Sequence, residues 1–155
     1  MNLLSNLLPL SNVELDVQAH DKRDLLEHAA HVFENQGLNA PRILDCLMAR
    51  EQLGSTGLGK GVAIPHGRLR GLKRAAAAII RVKDPIEFGS PDGQPVRVLV
   101  VLLVPEHATQ QHLQILSELA QMLSDPSMRE QLQTIVQPAA LLATVAAWEP
   151  IRPAA

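Results

Sequence analysis

The nine-residue run from Val96 to Val104, closed by Pro105, most restricts what this chain can fold into. It is continuous and rich in β-branched residues, so it reads as a strand buried on both faces. Such a strand sits inside a sheet with cover on each side, and helices are available to supply that cover. Asp21 can cap a helix running to about Gln36, with Leu25, Leu26, Ala29, Val32 and Phe33 as its apolar stripe and Gly37 at its end. Asn39 or Ala40 opens a second helix with Pro41 in its first turn. Its Ile43, Leu44, Leu47 and Met48 face the core, and Gly54 closes it. Thr109 can cap a third helix from Gln110 to Leu123, with Leu113, Leu116, Leu119, Ala120 and Leu123 inward. Pro126 and Pro138 start two shorter ones, to about Ile135 and Trp148.

Three more strands are legible. Val13–Val17 alternates apolar and acidic residues, and Val62-Ala63-Ile64 is short and apolar. Ala75–Val82 is ambiguous on periodicity alone, but Ile79, Ile80 and Val82, followed by Asp84-Pro85 as a turn, favour a strand. Phe88–Gly93 is a loop. The 155 residues suit one domain, and a hydrophobic fraction of 46% is enough for its core. The expected fold is α/β: a single domain with a mixed parallel and antiparallel sheet flanked by helices on both faces.

Composition excludes several functions. The net charge is −2 with no dominant basic cluster, so nucleic acid is not an expected partner. No apolar run is long enough to enter a membrane as a spanning helix, and the N-terminal segment lacks a signal peptide's charged start. Cys46 is the lone cysteine, which rules out an internal disulfide and fits a reducing, cytoplasmic setting. With two Phe, one Trp and no Tyr, the chain lacks aromatic platforms for a sugar or base. Any small group it handles is expected to arrive on another protein, and no cofactor is implied.

The chemistry concentrates in Gly54-Ser-Thr-Gly-Leu-Gly-Lys-Gly-Val-Ala-Ile-Pro-His66-Gly67. This resembles a phosphate-cradling P-loop, except that Gly61 stands where magnesium binding needs Ser or Thr. The segment also follows a helix and enters a strand, the reverse of that motif, so a nucleotide site is rejected. Pro65 should stop the strand, and Gly67 frees the chain to turn away. His66 is either a turn histidine with a satisfied hydrogen bond or a rigidly aimed, sterically open nucleophile. The Pro-His-Gly setting favours the second, because an imidazole with a pKa of about 6.5 is largely neutral at pH 7.

Two more residues could join it. Arg50 continues the inward stripe of Ile43 and Leu47, where its guanidinium could grip a phosphoryl group bidentately or merely complement the helix dipole. His112 falls in the first turn of the helix after the buried strand, where anions are favoured, or is a surface residue. His107 is placed close to the site, at its rim. His28 and His31 lack further ligands nearby and read as a solvated helix face, so no metal site is expected. His20 is a loop residue, and Cys46 a buried apolar thiol.

Arg50-Glu51, the run from Gly57 through Ala63-Ile64-Pro65-His66-Gly67, and Leu103-Val104-Pro105 with His112 resemble the type-2 enzyme IIA domains of the bacterial phosphoenolpyruvate phosphotransferase system, the mannitol/fructose class. The likeness covers residues 7–148 or so. Within that class, Leu53-Gly-Ser-Thr-Gly57 and His66-Gly-Arg-Leu69 are most similar to the nitrogen-regulatory members. The resemblance implies that His66 accepts a phosphoryl group from an HPr-like phosphocarrier, that Arg50 and His112 flank it, and that Ser55 and Thr56 lie in the bordering loop. It also implies regulatory targets such as a potassium transporter or a sensor kinase. A sugar-specific enzyme IIA passing phosphate to a IIB cysteine, and an interaction-only regulatory module, are the alternatives. Arg70-Gly-Leu-Lys73-Arg74 departs from the pattern as a local basic stretch.

Overall fold

The computed structural model describes residues 2–107 and 110–150. Its strands are β1 (Val13–Val17), β2 (Gly57–Gly59), β3 (Val62–Ala63), β4 (His66–Leu69), β5 (Ala76–Ile86) and β6 (Val96–Pro105). Its helices are α1 (Lys22–Val32), α2 (Ala40–Gln52), α3 (Gln110–Ser124), α4 (Pro126–Thr134) and α5 (Pro138–Ala147). The sheet order is β1-β5-β6-β3-β2, with β4 also pairing β6. β5 runs antiparallel to β6, whereas β1 is parallel to β5, and β3 and β4 are parallel to β6. The mixed sheet is therefore as expected.

β6 explains the two-layer cover. Leu99, Val101 and Leu103 join Leu25, Leu26, Ile43 and Leu47 in one core, under α1 and α2. Val98, Val100 and Leu102 join Ile115, Leu119, Leu132, Leu141 and Val145 in the other. Successive strand residues point to opposite faces, so a continuous apolar run feeds both. Leu4 and Leu8, from the turns ahead of β1, complete the second core.

The helix boundaries follow their caps. Asp21 accepts from the Asp24 amide and Asn39 from the Arg42 amide. After α1 the chain tightens into a 3-10 turn over Phe33–Gln36, then breaks at Gly37 in the left-handed region. The cap proposed at Thr109 lies outside the described residues.

Four expectations need correction. The chain does not turn away at Gly67: it resumes as β4, with His66 opposite Leu102. Pro65 cannot donate, yet its carbonyl accepts from the Leu102 amide at 2.9 Å, so β3 and β4 lie in succession along one edge of β6. The glycine run contains β2, hairpinned to β3 through Lys60 and Gly61, both at positive φ. β5 continues through Asp84-Pro85 to Ile86, with a register shift after Arg81 that absorbs the proline. Finally, α3 is rotated: Ile115, Leu119, Met122 and Leu123 are buried, Leu113 is 66% exposed, and Ala120 is exposed.

Gly67 is needed for space. A Cβ there would come within 2.4 Å of the Cys46 Sγ on α2, whose thiol donates to the Arg68 carbonyl at 3.1 Å. Gly67→Ala is expected to cost about 1–3 kcal/mol through overpacking. Adding Cys46→Ala should restore most of it. Urea unfolding of both single variants and the double checks this; simple additivity would place the cost elsewhere.

Candidate functional site

β3, the Pro65 break and the start of β4 hold His66 beside β6. Its Nδ1 lies 2.8 Å from the Ile64 carbonyl oxygen. A carbonyl only accepts, so Nδ1 carries the proton and Nε2 of the neutral ring keeps a free lone pair. The ring lines a hollow of about 240 Å3.

Arg50, Ser55, Thr56 and His66 all line that hollow. Arg50, on the last turn of α2, donates from Nη1 to the Gly54 carbonyl at 2.8 Å, which leaves further guanidinium N–H groups for a ligand. Gly54 adopts φ 144°, a conformation that suits glycine. Ser55 and Thr56 are part of the lining, but their hydroxyls serve the scaffold. Ser55 Oγ donates to the Phe88 carbonyl at 2.8 Å and accepts from the Gly57 amide at 3.0 Å. Thr56 Oγ1 donates to Glu51 Oε2, and the Thr56 amide donates to Glu51 Oε1 at 3.1 Å.

His112 stands next to His66, with ring centroids 6.2 Å apart and planes at 68°. It does not line the same hollow; it walls a neighbouring cavity. His112, Ile115, Leu119 and Met122 share one buried stripe, so the rotation that turns Leu113 outward also buries His112. The same rotation brings Leu116 and Ala120 to the hollow's wall.

Both imidazoles are held below their usual pKa. For His66, burial lowers it and the Arg50 charge adds to this, against the Ile64 hydrogen bond and Glu51. For His112, burial is the main cause, followed by the charges of His66 and Arg68. In the unfolded chain both titrate near ~6.5. Below that value, down to the folded values, the unfolded state binds more protons, so stability falls as pH falls through this window and is complete above it. The melting temperature should be level from about pH 8 to 7 and decline toward about pH 5. A His66→Gln/His112→Gln double variant should show a shallower decline; an unchanged slope would dismiss both imidazoles as its source.

Glu51 has the strongest structural tie to the site, and residue type alone did not reveal it. Its side chain is 3% exposed and also meets Lys22 Nζ at 2.8 Å. Thr56 in turn accepts from the Ile64 amide at 3.1 Å. The remaining candidates lie apart. His107 is exposed and does not line the hollow. His20 is exposed, His28 meets Glu14, and His31 meets Glu34. Burial pushes the Cys46 thiol pKa up, away from reactivity. Among the described residues no group of three His, Cys, Asp or Glu could hold a metal ion, and no helix is long and apolar enough to cross a membrane.

A neutral Nε2 nucleophile with an arginine beside it, in a small hollow, is equipped to exchange a phosphoryl group. Comparison with known proteins identifies the family. Residues 6–148 match the family described as phosphoenolpyruvate-dependent sugar phosphotransferase system, EIIA 2. The chain belongs to this family. A nitrogen regulatory protein of Pseudomonas aeruginosa is 38% identical to this EIIA 2 domain over 133 residues, covering 84% of this chain and 86% of the relative. A fructose-specific EIIA component of Haloferax volcanii is 31% identical over 131 residues, covering 83% and 85%. The crystal structure of nitrogen regulatory protein IIA-Ntr from Neisseria meningitidis superposes with a TM-score of 0.87 at 45% identity, covering 92% of this chain and 98% of that one. The EIIA 2 domain is thus a phosphotransferase-system component of the IIA type.

Proposed function

We propose that this EIIA 2 domain is a cytoplasmic phosphohistidine carrier with a regulatory role. His66 Nε2 attacks the phosphorus of a phosphohistidine on an HPr-like phosphocarrier of the nitrogen-related system. The new N–P bond forms in line as the donor's N–P bond breaks, and the donor imidazole leaves with the electron pair. The ring of His66 becomes cationic, and the Ile64 carbonyl, still accepting from Nδ1–H, stabilises that charge. Arg50 donates to the equatorial oxygens, where charge accumulates. His112, edge-on to the His66 ring, flanks the group from outside the hollow's lining.

The observation that carries this reading is the Nδ1–Ile64 hydrogen bond, which leaves Nε2 as the nucleophile beside Arg50. The regulatory role is supported by the nitrogen-regulatory relatives, at 38% and 45% identity against 31% for the fructose-specific one. Phosphorylation places a phosphoryl group of about −2 in the hollow against +1 on the ring, a net change of about −1 that can gate docking onto targets such as a potassium transporter or a sensor kinase.

The test is reconstitution with phosphoenolpyruvate, enzyme I and the HPr-like carrier, with the phosphopeptide located by mass spectrometry. Label is expected on His66; label elsewhere overturns the assignment. Rapid loss of label to a IIB cysteine would reassign the domain to sugar uptake. Equal target affinity of the two phosphorylation states would make it an interaction-only module.

A further inference from the structure

Beside the phosphoryl hollow lies a second cavity, whose lining shares no residue with that of the hollow. It measures about 490 Å3 and lies among the N-terminal turn, the β4–β5 connection and α3. Asn6, Lys73, Arg74 and His112 supply its polar wall, and Leu7 and Ile115 contribute apolar surface. It adjoins a hollow of about 640 Å3 with which it shares Asn6, Leu7, Lys73 and Arg74. Such volumes suit a small molecule, for which about 300–1,000 Å3 is usual.

The charges around this space are one-sided. No described residue lining either cavity is Asp or Glu, in a chain with 16 acidic residues. Neither Lys73 nor Arg74 has a carboxylate partner among the described residues. Their neighbours in sequence differ: Arg68 donates to the Glu106 carbonyl, and Arg70 approaches the Glu106 carboxylate at 3.6 Å. His112 is 8% exposed, and neither of its ring nitrogens has a hydrogen-bond partner among the described residues. A buried polar group left in that state is costly and calls for a partner.

We propose that this cavity binds a small polyanion, a metabolite bearing phosphate or carboxylate groups, with its charges set between Lys73, Arg74 and the Asn6 amide and with His112 in the wall. A molecule that enters the cavity reaches the two cations and that wall together, whereas a flat acidic protein surface meets only the exposed cations. The site is separate from the His66 hollow, whose lining includes neither Lys73 nor Arg74. It therefore stands whether or not His66 accepts phosphate. His112 is the side chain common to both neighbourhoods, edge-on to His66 and lining the polyanion cavity.

Citrate, and separately inorganic pyrophosphate, are titrated into the full chain at constant ionic strength. Calorimetry and the ring resonances of His112 report binding. Saturable one-to-one binding that moves the His112 resonances is expected for at least one probe. Lys73→Gln/Arg74→Gln should weaken it about tenfold or more, the equivalent of one charge-assisted contact. Both side chains are exposed, so this variant should melt with the native protein. Arg50→Gln should leave the affinity unchanged. The proposal is overturned if neither probe saturates, or if binding survives the double substitution. It also falls if Arg50→Gln abolishes binding, because the anion would then occupy the His66 hollow.

Discussion

His66→Gln is expected to keep the native fold and accept no phosphoryl group from a phosphorylated carrier. The ring is only partly buried and its Nδ1 hydrogen bond runs to the Ile64 carbonyl. A glutamine amide can donate to that carbonyl, so little stability should be lost. Its nitrogen has no nucleophilic lone pair, so transfer stops. Arg50→Ala leaves the nucleophile and removes donors to the charge that builds on the transferred group, which should slow acceptance about a hundredfold. Intact-mass measurement over time separates the two effects: no product for His66→Gln, slow but complete product for Arg50→Ala. Label arriving on His66→Gln at the native rate would move the acceptor to another residue, with His112 the first to examine.

The parts of this molecule that are legible in its sequence are those where one physical demand dominates. Apart from Arg97, Val96–Val104 is apolar without alternation, and only a central strand with two covered faces accommodates it. Asp21, Asn39, Pro126 and Pro138 mark helix starts because capping and proline geometry are local. β2 and β4 were hidden because Gly57-Leu-Gly59 and His66-Gly-Arg-Leu69 have little intrinsic strand preference. Pairing with β3 and β6 supplies it from outside the segment. The phase of α3 is only partly legible from residue type: Leu119 and Leu123 are buried and Leu116 packs against the core, but Leu113 and Ala120 face out, and Ile115 and Met122 complete the buried side. The 112-115-119-122 spacing carried the correct phase and would have marked His112 as buried. At the site, Arg50, Ser55, Thr56 and His66 do line one hollow. The use of the Ser55 and Thr56 hydroxyls as loop anchors was not readable, because their partners, Phe88 and Glu51, are assigned only by tertiary packing.

Glu51→Ala is expected to be among the most damaging single changes, costing about 3 kcal/mol of stability. The carboxylate is sealed from water and accepts from the Thr56 amide, the Thr56 hydroxyl and Lys22. Removing it strands two donors of Thr56, a residue only 5% exposed. Lys22 retains the Phe88 carbonyl at 3.1 Å, the Phe88 ring at 4.3 Å and some solvent, which holds the loss to the lower end of the range for a broken buried pair. Glu51→Gln keeps an acceptor for the Thr56 amide and loses the charge, so about 1 kcal/mol is expected. Equal costs for the two variants in urea unfolding would assign the whole effect to charge and none to the Thr56 bonds. Transfer should suffer as well. Glu51 holds Thr56, the Thr56 carbonyl accepts from the Ile64 amide, and the Ile64 carbonyl accepts from His66. Loosening the first link frees the loop that borders the hollow and the residue that fixes the tautomer of His66. The folded fraction of Glu51→Ala should therefore accept phosphate more slowly than native protein. Leu141→Ala, a comparable loss in the core of the opposite face, should lower stability while leaving the rate per folded molecule unchanged.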